Sequence, residues 1–276
     1  MTSERCFPRT QLGHRLPPVF LAAWPGTIVA TICLTISLVA CVALVQAAEK
    51  PPYHGTIFIA PMVITAEDPT AFQQLEGRGA GSRKMFDRRA NDWIQREAWL
   101  FHATFDDGLA IEVQVNPEFN QQTARRLAER YLPSVGRLPK ILRKDVQSIW
   151  IHDGEQPFGG GNQNLLIHVG MAESYLRDGI LEETLCHEAA HTSLDAEHAS
   201  APGWTQAQTA DGRSISTYAQ DNPQREDIAE SFLPYMAVRY RRDRLPEAIR
   251  MTVEQTIPHR LKYFDSLRAD MHPFAR

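Results

Sequence analysis

The spacing of hydrophobic residues along the chain predicts helices and strands in mixed order. Apolar residues that recur every three or four positions predict helices, and short apolar runs bounded by turn residues predict strands. Helices are predicted over residues 85–95, 121–132, 246–255 and 260–267, and also after Asp178 and after Asn222. Strands are predicted over residues 56–60 and 62–64, interrupted by Pro61, and over residues 99–104, 109–115, 146–151 and 165–169. This mixture indicates an α+β fold.

Glycine and proline mark the breaks between these elements. The Asp107-Gly108 pair between two apolar runs predicts a β-hairpin. Three glycines and an asparagine at residues 159–162 predict a flexible turn, residues 66–84 predict a mobile loop, and residues 49–53 predict a linker. Pro133 is expected to end the helix before it. Pro234 is expected to kink the helix after Asn222, because proline cannot donate a hydrogen bond to the carbonyl one turn earlier.

Length and composition indicate one globular domain behind an N-terminal leader. The chain has 276 residues, of which 43% are hydrophobic, enough for a single core. Without residues 1–47 it keeps 26 basic and 32 acidic residues, a net charge of −6. An acidic balance disfavours nucleic acid as a partner. We therefore predict a single domain over residues 48–276.

The leader itself has the features of an export signal. Three arginines precede an uncharged apolar run over residues 27–45, and small residues follow it. This pattern predicts a signal peptide cleaved after Ala47, an uncleaved membrane anchor, or a lipoprotein attached at Cys41. Each alternative exports the rest of the chain, which would be secreted, periplasmic or membrane-attached. Only Cys186 lies outside the leader, so no intramolecular disulfide framework is expected.

The strongest chemical signal is the string His187-Glu188-Ala189-Ala190-His191, an HExxH pattern within a predicted helix. Histidines four apart on a helix lie about 40° apart around its axis and roughly 6 Å apart along it. Both imidazoles can therefore bind one metal ion, usually zinc, and Glu188 on the same side can take a proton from a water molecule at that ion. The string predicts the chemistry of a zinc metallopeptidase.

The residues around the string support a buried helix. Asp178 is a plausible N-cap, and apolar side chains recur at the spacing of one helix face. The buried residues are expected to include Ile180, Leu181, Leu185, Ala189 and Leu194. Cys186 points away from His187 on this helix, and we interpret it as a small buried side chain rather than a ligand or nucleophile.

A catalytic zinc site usually has three protein ligands, and three downstream residues are candidates for the third. His198 has one residue too many between it and His191 for the metzincin pattern. Asp211 lies in an Asp-Gly pair that indicates a turn. Glu226 follows Asn222-Pro223, which predicts a helix start. We assign Glu226 as the ligand.

Glu230 lies four residues after Glu226, so both carboxylates face the same way on a helix. One carboxylate can bind the metal while the other accepts the free N–H of a ligating histidine and fixes its ring. We assign this second role to Glu230, with His187 as its partner. Metal ligands are therefore expected at His187, His191 and Glu226, for one Zn²⁺ per chain.

HExxH followed by a glutamate on a second helix resembles the gluzincin peptidases, the group of thermolysin. The segment from Ser216 to Phe232 is similar, in particular, to the catalytic domain of anthrax lethal factor. That resemblance implies that Tyr218 stabilises the transition state. It also implies a zincin-like fold, in which a small twisted sheet packs on a backing helix and on the HExxH helix, before a helical C-terminal part.

The resemblance further implies how the cleft is built. The strand over residues 165–169 would form its rim, with a free edge for an extended substrate. Independently of the resemblance, we interpret the two last predicted helices as closing helices that form the lower wall of the cleft. His168 on that strand could reach the substrate, although a core histidine is the simpler interpretation. We predict an exported zinc metallopeptidase with Glu188 and Tyr218 as catalytic residues and a peptide or protein as substrate. The alternatives are a catalytically silent zincin that serves as a binding or envelope module, and a zinc hydrolase of a non-peptide amide.

Overall fold

The computed structural model describes residues 50–56 and 63–274. These residues belong to one compact unit of the chain, residues 46–276. The predicted leader lies outside the described residues, as does most of the strand predicted on either side of Pro61. Within the described part, no helix is both long and apolar enough to cross a bilayer.

A mixed six-stranded sheet and a set of helices make up the described part, which confirms the α+β class. The strands are β1 (Phe72–Asp87), β2 (Asp92–Phe105), β3 (Ala110–Val115), β4 (Ser148–His152), β5 (Gly159–Gly161) and β6 (Asn164–His168). Their order in the sheet is β1-β2-β3-β4-β6-β5. β1, β2 and β3 are antiparallel, β3, β4 and β6 are parallel, and β5 pairs antiparallel with β6 at the edge.

The helices are α1 (Gln121–Arg137), α2 (Lys140–Arg143), α3 (Val169–Asp178), α4 (Leu181–His198), α5 (Pro202–Asp211), α6 (Thr217–Asp221), α7 (Asp227–Tyr240), α8 (Glu247–Thr256) and α9 (Pro258–Ser266), with a 3₁₀ turn at Arg242–Arg244. α4 is the central helix of the fold. It packs against β5 and β6 on one side and against α1, α2, α3 and α7 on others. This position fixes its side chains between the sheet and the C-terminal helices.

The first two strands contradict the sequence prediction. Residues 66–84 were predicted as a mobile loop and residues 85–95 as a helix, but this part of the chain forms the long β1–β2 hairpin. The strands pair from Phe72 with Phe105 to Asp87 with Asp92, and the register shifts at Gly77/Gly79. Most of β1 is exposed, so backbone pairing rather than apolar alternation defines it. The sequence pattern therefore carried little strand signal.

Other strand predictions hold. The hairpin predicted at Asp107-Gly108 is confirmed, because β2 and β3 flank that turn in antiparallel pairing. β4 and β6 confirm the strands predicted over residues 146–151 and 165–169 to within two residues at each end. The triple glycine, predicted as a flexible turn, instead forms β5. The turn follows it at Asn162 and Gln163, which have φ angles of 48° and 60°.

Helix boundaries differ from the predictions at three places. α1 continues through Pro133 to Arg137, because buried side chains on both sides of the proline hold the helix in the core. α3 was not predicted, and Asp178 is its last residue rather than the cap of α4, because Gly179 in the left-handed region ends α3. Asn222 caps the end of α6, and α7 begins at Asp227.

The C-terminal helices agree better with the sequence. α8 and α9 confirm the helices predicted over residues 246–255 and 260–267. Pro234 lies inside α7, which continues to Tyr240. α7 is buried along most of its length, and α9 packs on α5 and α7. α7 is thereby held against α4, and the residues that precede it are brought to the HExxH string.

Two fully buried histidines pair across β4 and β6 and couple stability to pH. His152 faces His168 in register, with ring centroids 5.6 Å apart. Asn116 donates to Nδ1 of His152, and Nδ1 of His168 donates to the Asp153 carbonyl, both at 2.8 Å. Burial lowers the pKa of His152 to about 4 and lowers the pKa of His168.

We therefore expect the protein to lose stability in mild acid. Below about pH 6.5 the unfolded chain protonates at His152 and the folded chain does not, so the free energy of unfolding falls until the pH reaches about 4. His152 alone accounts for about 3 kcal/mol of this loss. Urea unfolding at about pH 7.5 and pH 4.5 measures the change. His152→Gln keeps an acceptor for Asn116 and should reduce the pH dependence, and an unchanged slope in this variant would contradict the assignment.

Candidate metal centre

The two histidines of the HExxH string extend from α4 toward one point. The helix is fixed by a buried apolar side that includes Leu185, Ala189 and Leu194, so the backbone beneath both histidines is held on several sides. His187 is 5% exposed, and its Nε2 lies 3.2 Å from Nε2 of His191. The helical spacing thus produces the convergence that the sequence predicts.

Glu226 completes a group of three donor atoms. Its Oε2 lies 3.1 Å from Nε2 of His191 and 3.6 Å from Nε2 of His187. Tetrahedral ligands with bonds of about 2.0–2.1 Å are separated from each other by about 3.3–3.4 Å. The three measured separations bracket that value. The group therefore fits a four-coordinate metal ion with one position left for a small ligand.

The opposite ring nitrogens face carboxylates. Nδ1 of His191 donates to Oδ2 of Asp195 at 2.8 Å, and Nδ1 of His187 lies 3.5 Å from Oε1 of Glu230. The first contact is a strong hydrogen bond, and the second is longer than one. When a metal ion is bound and the ring protons are on Nδ1, both Nε2 atoms direct lone pairs at the same point as the Glu226 carboxylate.

The electrostatics of the group favour positive charge at the same point. Burial lowers the pKa of His191, but hydrogen bonds to Asp195 and Glu226 outweigh it and raise this pKa to about 10. Burial raises the pKa of Glu226, but hydrogen bonds from His187 and His191 hold it well below its usual range. The surrounding carboxylates therefore stabilise a positive charge at this point, whether it is a proton on His191 or a metal ion.

Glu230 is held by a segment far away in sequence. It is 2% exposed and accepts hydrogen bonds from the Thr56 N–H at 2.8 Å and from the Ser216 hydroxyl at 2.6 Å. Tyr53 forms a β-bridge with Ser216, and the His54 carbonyl accepts the Tyr218 N–H. The chain around Tyr53, where the sequence predicted a linker, is thus part of the site. No local signal marks it, because 174 residues separate Thr56 from Glu230.

Glu188 lies beside the donor group in the wall of a cavity of about 730 Å³. That volume is within the range of ligand-binding sites, roughly 300–1,000 Å³. The cavity is lined by β5, by the second half of α3, by α4 from Thr184 to Asp195, by the chain around His54 and by the segment before α7. Its residues include Gly160, Tyr175, Thr184, Glu188, Tyr218 and Arg225. The donor group opens into this space.

The rim of the cavity is β5, and this corrects the sequence prediction that the strand over residues 165–169 would be the rim. That strand is β6, which lies between β4 and β5 and has no free edge. β5 packs so closely on α4 that a Cβ on Gly160 would lie 1.8 Å from the Glu188 carbonyl oxygen. The Thr192 hydroxyl also accepts the Gly161 N–H at 2.8 Å. The glycines allow the edge strand β5 to lie close against α4, which carries the HExxH string.

Tyr218 is in the cavity wall, on α6, and is 40% exposed. Burial of the ring and the nearby Glu226 carboxylate, to which the phenol hydrogen-bonds, raise its pKa. The hydroxyl therefore keeps its proton at neutral pH and can donate it in a hydrogen bond. Tyr218 lies beside the donor group, and the catalytic role that the resemblance implies for it stays a prediction.

The other candidate residues lie elsewhere. His198 shares a hydrogen bond of 2.9 Å with the Tyr263 hydroxyl, and Asp211 pairs with Arg260 at 2.9 Å. His168 is a core histidine, as the simpler interpretation had it, and does not line the cavity. Cys186 is fully buried, which raises its pKa. α8 and α9 do not line the cavity, so the prediction that they form its lower wall is wrong.

Comparison of the chain with models of protein families, with curated proteins and with solved structures found no match. The function is therefore argued from the geometry of the site. The sequence interpretation missed Asp195 and the segment around Thr56. Asp195 had a local signal, because it lies four residues after His191 and so faces the same side of α4.

We expect Asp195→Ala to weaken zinc binding about 10- to 100-fold, because the carboxylate orients His191 and makes its Nε2 more basic. Titration against a chelator of known affinity measures the change. Glu197→Ala is the matched control, since that side chain is 68% exposed on the same helix. Equal zinc affinity in Asp195→Ala and the wild type would show that the contact does not support the metal.

Proposed function

We propose that this protein is an exported zinc-dependent metallopeptidase that hydrolyses peptide bonds. The observation that carries the proposal is the convergence of His187, His191 and Glu226 within 4.8 Å of one another, at separations that suit a tetrahedral ion. Glu188 opens into the same cavity. A structural metal site needs no water-activating carboxylate, so the placement of Glu188 favours an enzyme.

The donor set supports zinc as the metal, with one ion per chain. Two imidazoles and one carboxylate are typical ligands of catalytic zinc sites, which leave one position open. When bound, zinc polarises the carbonyl group of a substrate and lowers the pKa of a water molecule toward neutrality. His187, His191 and Glu226 would hold the ion, while Asp195 and Glu230 would fix the two rings.

The protein's own groups account for the proton transfers. Glu188 accepts a proton from the attacking water as the water oxygen bonds to the carbonyl carbon. The same carboxyl group then gives that proton to the departing nitrogen, so the C–N bond breaks and the products are a carboxylic acid and an amine. Tyr218 donates a hydrogen bond to the carbonyl oxygen as negative charge develops on it.

The arrangement of elements supports a zincin-like fold as the finer description. α1 packs on the sheet at β1, β2 and β3, and α4 carries the HExxH string beneath the edge strand β5. The chain after α4 is helical and contributes Glu226 from the segment between α6 and α7. This order corresponds to a sheet with a backing helix, an active-site helix and a helical C-terminal part.

Tyr218→Phe is expected to lower kcat roughly 10²- to 10³-fold, as when one donor to a developing oxyanion is removed. Zinc content should stay at the wild-type value, because the phenol contacts the site without being one of the three converging donors. Steady-state kinetics and elemental analysis measure the two quantities. Wild-type kinetics in Tyr218→Phe would exclude the residue from catalysis.

The proposal as a whole is tested by two measurements on the purified exported chain. Elemental analysis should find about one zinc per chain, and a broad peptide mixture analysed by mass spectrometry should contain new termini after incubation. Both signals should disappear after treatment with a chelator and return when zinc is added. A zinc-loaded protein that cleaves no peptide would contradict the proposed activity.

A further inference from the structure

Arg88 lines the cavity but belongs to neither α4, which carries the HExxH string, nor the segment before α7 that carries Glu226. It is the first residue of the turn, residues 88–91, that joins β1 to β2. The tip of this hairpin therefore reaches the cavity that holds Glu188. A cation placed here by a long hairpin is independent of the metal ligands.

The next residue, Arg89, connects the tip of the hairpin to the loop after β3 by hydrogen bonds. Its guanidinium forms hydrogen bonds of 2.8 Å and 3.0 Å to Asp87 and of 2.8 Å to Glu118 in the loop after β3. The Arg89 N–H also donates to Asp87, at 2.9 Å. These bonds fix the backbone beside Arg88, so the direction of Arg88 follows from a rigid turn.

The guanidinium of Arg88 lies over β5. A Cβ on Gly159 would be 2.8 Å from its Nη2 and 3.4 Å from its Nε, so the absence of a side chain at Gly159 makes room for it. The adjoining Gly160 touches the backbone of Glu188. Burial raises the pKa of Tyr175 in the cavity wall, the Glu188 carboxylate raises it further and the Arg88 guanidinium lowers it, so Arg88 and Glu188 lie near the same end of the cavity.

Arg88 differs from its neighbours in having no ionic partner. Across residues 50–56 and 63–274, it forms no hydrogen bond and has no carboxylate within 4.0 Å. Arg89 is paired with Asp87 and Glu118, and Arg225, the second arginine in the cavity lining, lies 3.3 Å from Glu226. A guanidinium carries five N–H donors in a planar fork that matches a carboxylate. Arg88 brings these unpaired donors to the cavity wall.

We propose that Arg88 binds a carboxylate of the substrate on the amine side of the scissile bond. The inference rests on the proposed peptidase function. Glu188 delivers its proton to the leaving nitrogen, so groups at the Glu188 end of the cavity meet the part of the substrate that leaves as the amine. The preferred substrates are therefore peptides with an acidic side chain, or a free C-terminal carboxylate, shortly after the cleaved bond.

The test begins with the cleavage of a broad peptide mixture by the wild type. The best sequence is then made in three forms: with glutamate at the favoured position and an amidated end, with glutamine there and an amidated end, and with glutamine and a free C-terminus. The third form separates recognition of a terminal carboxylate from recognition of a side chain. Arg88→Gln is the test variant, and Arg96→Gln, an exposed arginine on β2 outside the cavity, is the matched control.

We expect the wild type to cleave one carboxylate-bearing form with a kcat/KM about tenfold above the neutral form, as for one charge-assisted hydrogen-bonded pair. Arg88→Gln should lose this advantage and keep its rate on the neutral peptide. Arg96→Gln should behave as the wild type. Absence of the preference, its retention in Arg88→Gln, or a preference confined to the acyl side would overturn the proposal.

Binding provides a readout that does not depend on turnover. Calorimetry with the zinc-loaded Glu188→Gln protein should show tighter binding of the same carboxylate-bearing peptide, and the additional change Arg88→Gln should weaken it about tenfold. If the library yields no cleaved sequence, the amidated peptides Ala-Ala-Ala-Glu-Ala-Ala and Ala-Ala-Ala-Gln-Ala-Ala are the probes. If peptides are cleaved without a preference for acidic ones, only the role of Arg88 is excluded. If no peptide is either cleaved or bound, the proposed peptidase function is excluded as well.

Discussion

Replacing Glu226 with glutamine is expected to strip the protein of most of its zinc. The carboxylate supplies the only negative charge among the three converging donors, and an amide oxygen is a weaker ligand for zinc. His191→Ala should have a similar effect, because it removes the imidazole that lies 3.1 Å from Glu226 and 3.2 Å from His187. The loss should exceed the 10- to 100-fold typical of an outer hydrogen-bond partner.

Elemental analysis after dialysis and titration with a competing chelator measure this effect. Glu197→Gln on the exposed side of α4 is the control and should bind zinc as the wild type does. Unchanged zinc in Glu226→Gln would remove Glu226 from the ligand set. The sequence alternative His198 would not replace it without rearrangement, because that ring is occupied by Tyr263.

Glu188→Gln should separate catalysis from metal binding. Glutamine has nearly the same shape, so the fold and the zinc content should persist, while turnover falls roughly 10²- to 10⁴-fold for want of a general base. The reason is positional, because Glu188 opens into the cavity beside the donor group without being one of its three members. Kinetics, zinc content and thermal unfolding of the same preparation measure the three quantities.

The result also decides between the competing functions. If Glu188→Gln and the wild type are equally active, the carboxylate is not the base. If the zinc-loaded wild type cleaves no peptide in a broad mixture, the result favours the alternative function, a catalytically silent binding or envelope module. Turnover of a non-peptide amide that depends on Glu188 would retain the mechanism and change the substrate class.

The sequence predicted the parts of the site that follow from local geometry. His187 and His191 face one side because 3.6 residues make a helical turn, and no tertiary contact is needed for that statement. The same rule places Glu230 one turn from Glu226. The hairpin at Gly108 could be predicted in the same way, because its turn is encoded by adjacent residues.

The structure corrected the predictions where backbone pairing or burial, and not an apolar pattern, decides the conformation. β1 and β5 are strands because β2 and β6 pair with them, and neither has an apolar pattern of its own. Pro133 does not end α1, because the core on both sides of it outweighs one missing hydrogen bond. In each case a local propensity was overridden by backbone pairing or by burial.

By itself, the sequence determined that two imidazoles and a carboxylate share one face of a helix, and that the fold belongs to the α+β class. It left three candidates for the third donor, because spacing along the chain does not fix distance between helices. The tertiary structure brought Glu226 to His191 by packing α7 on α4, tied Thr56 to Glu230, and placed Arg88 in the cavity. Core packing decided these contacts, since residues up to 174 positions apart meet only when the whole domain folds.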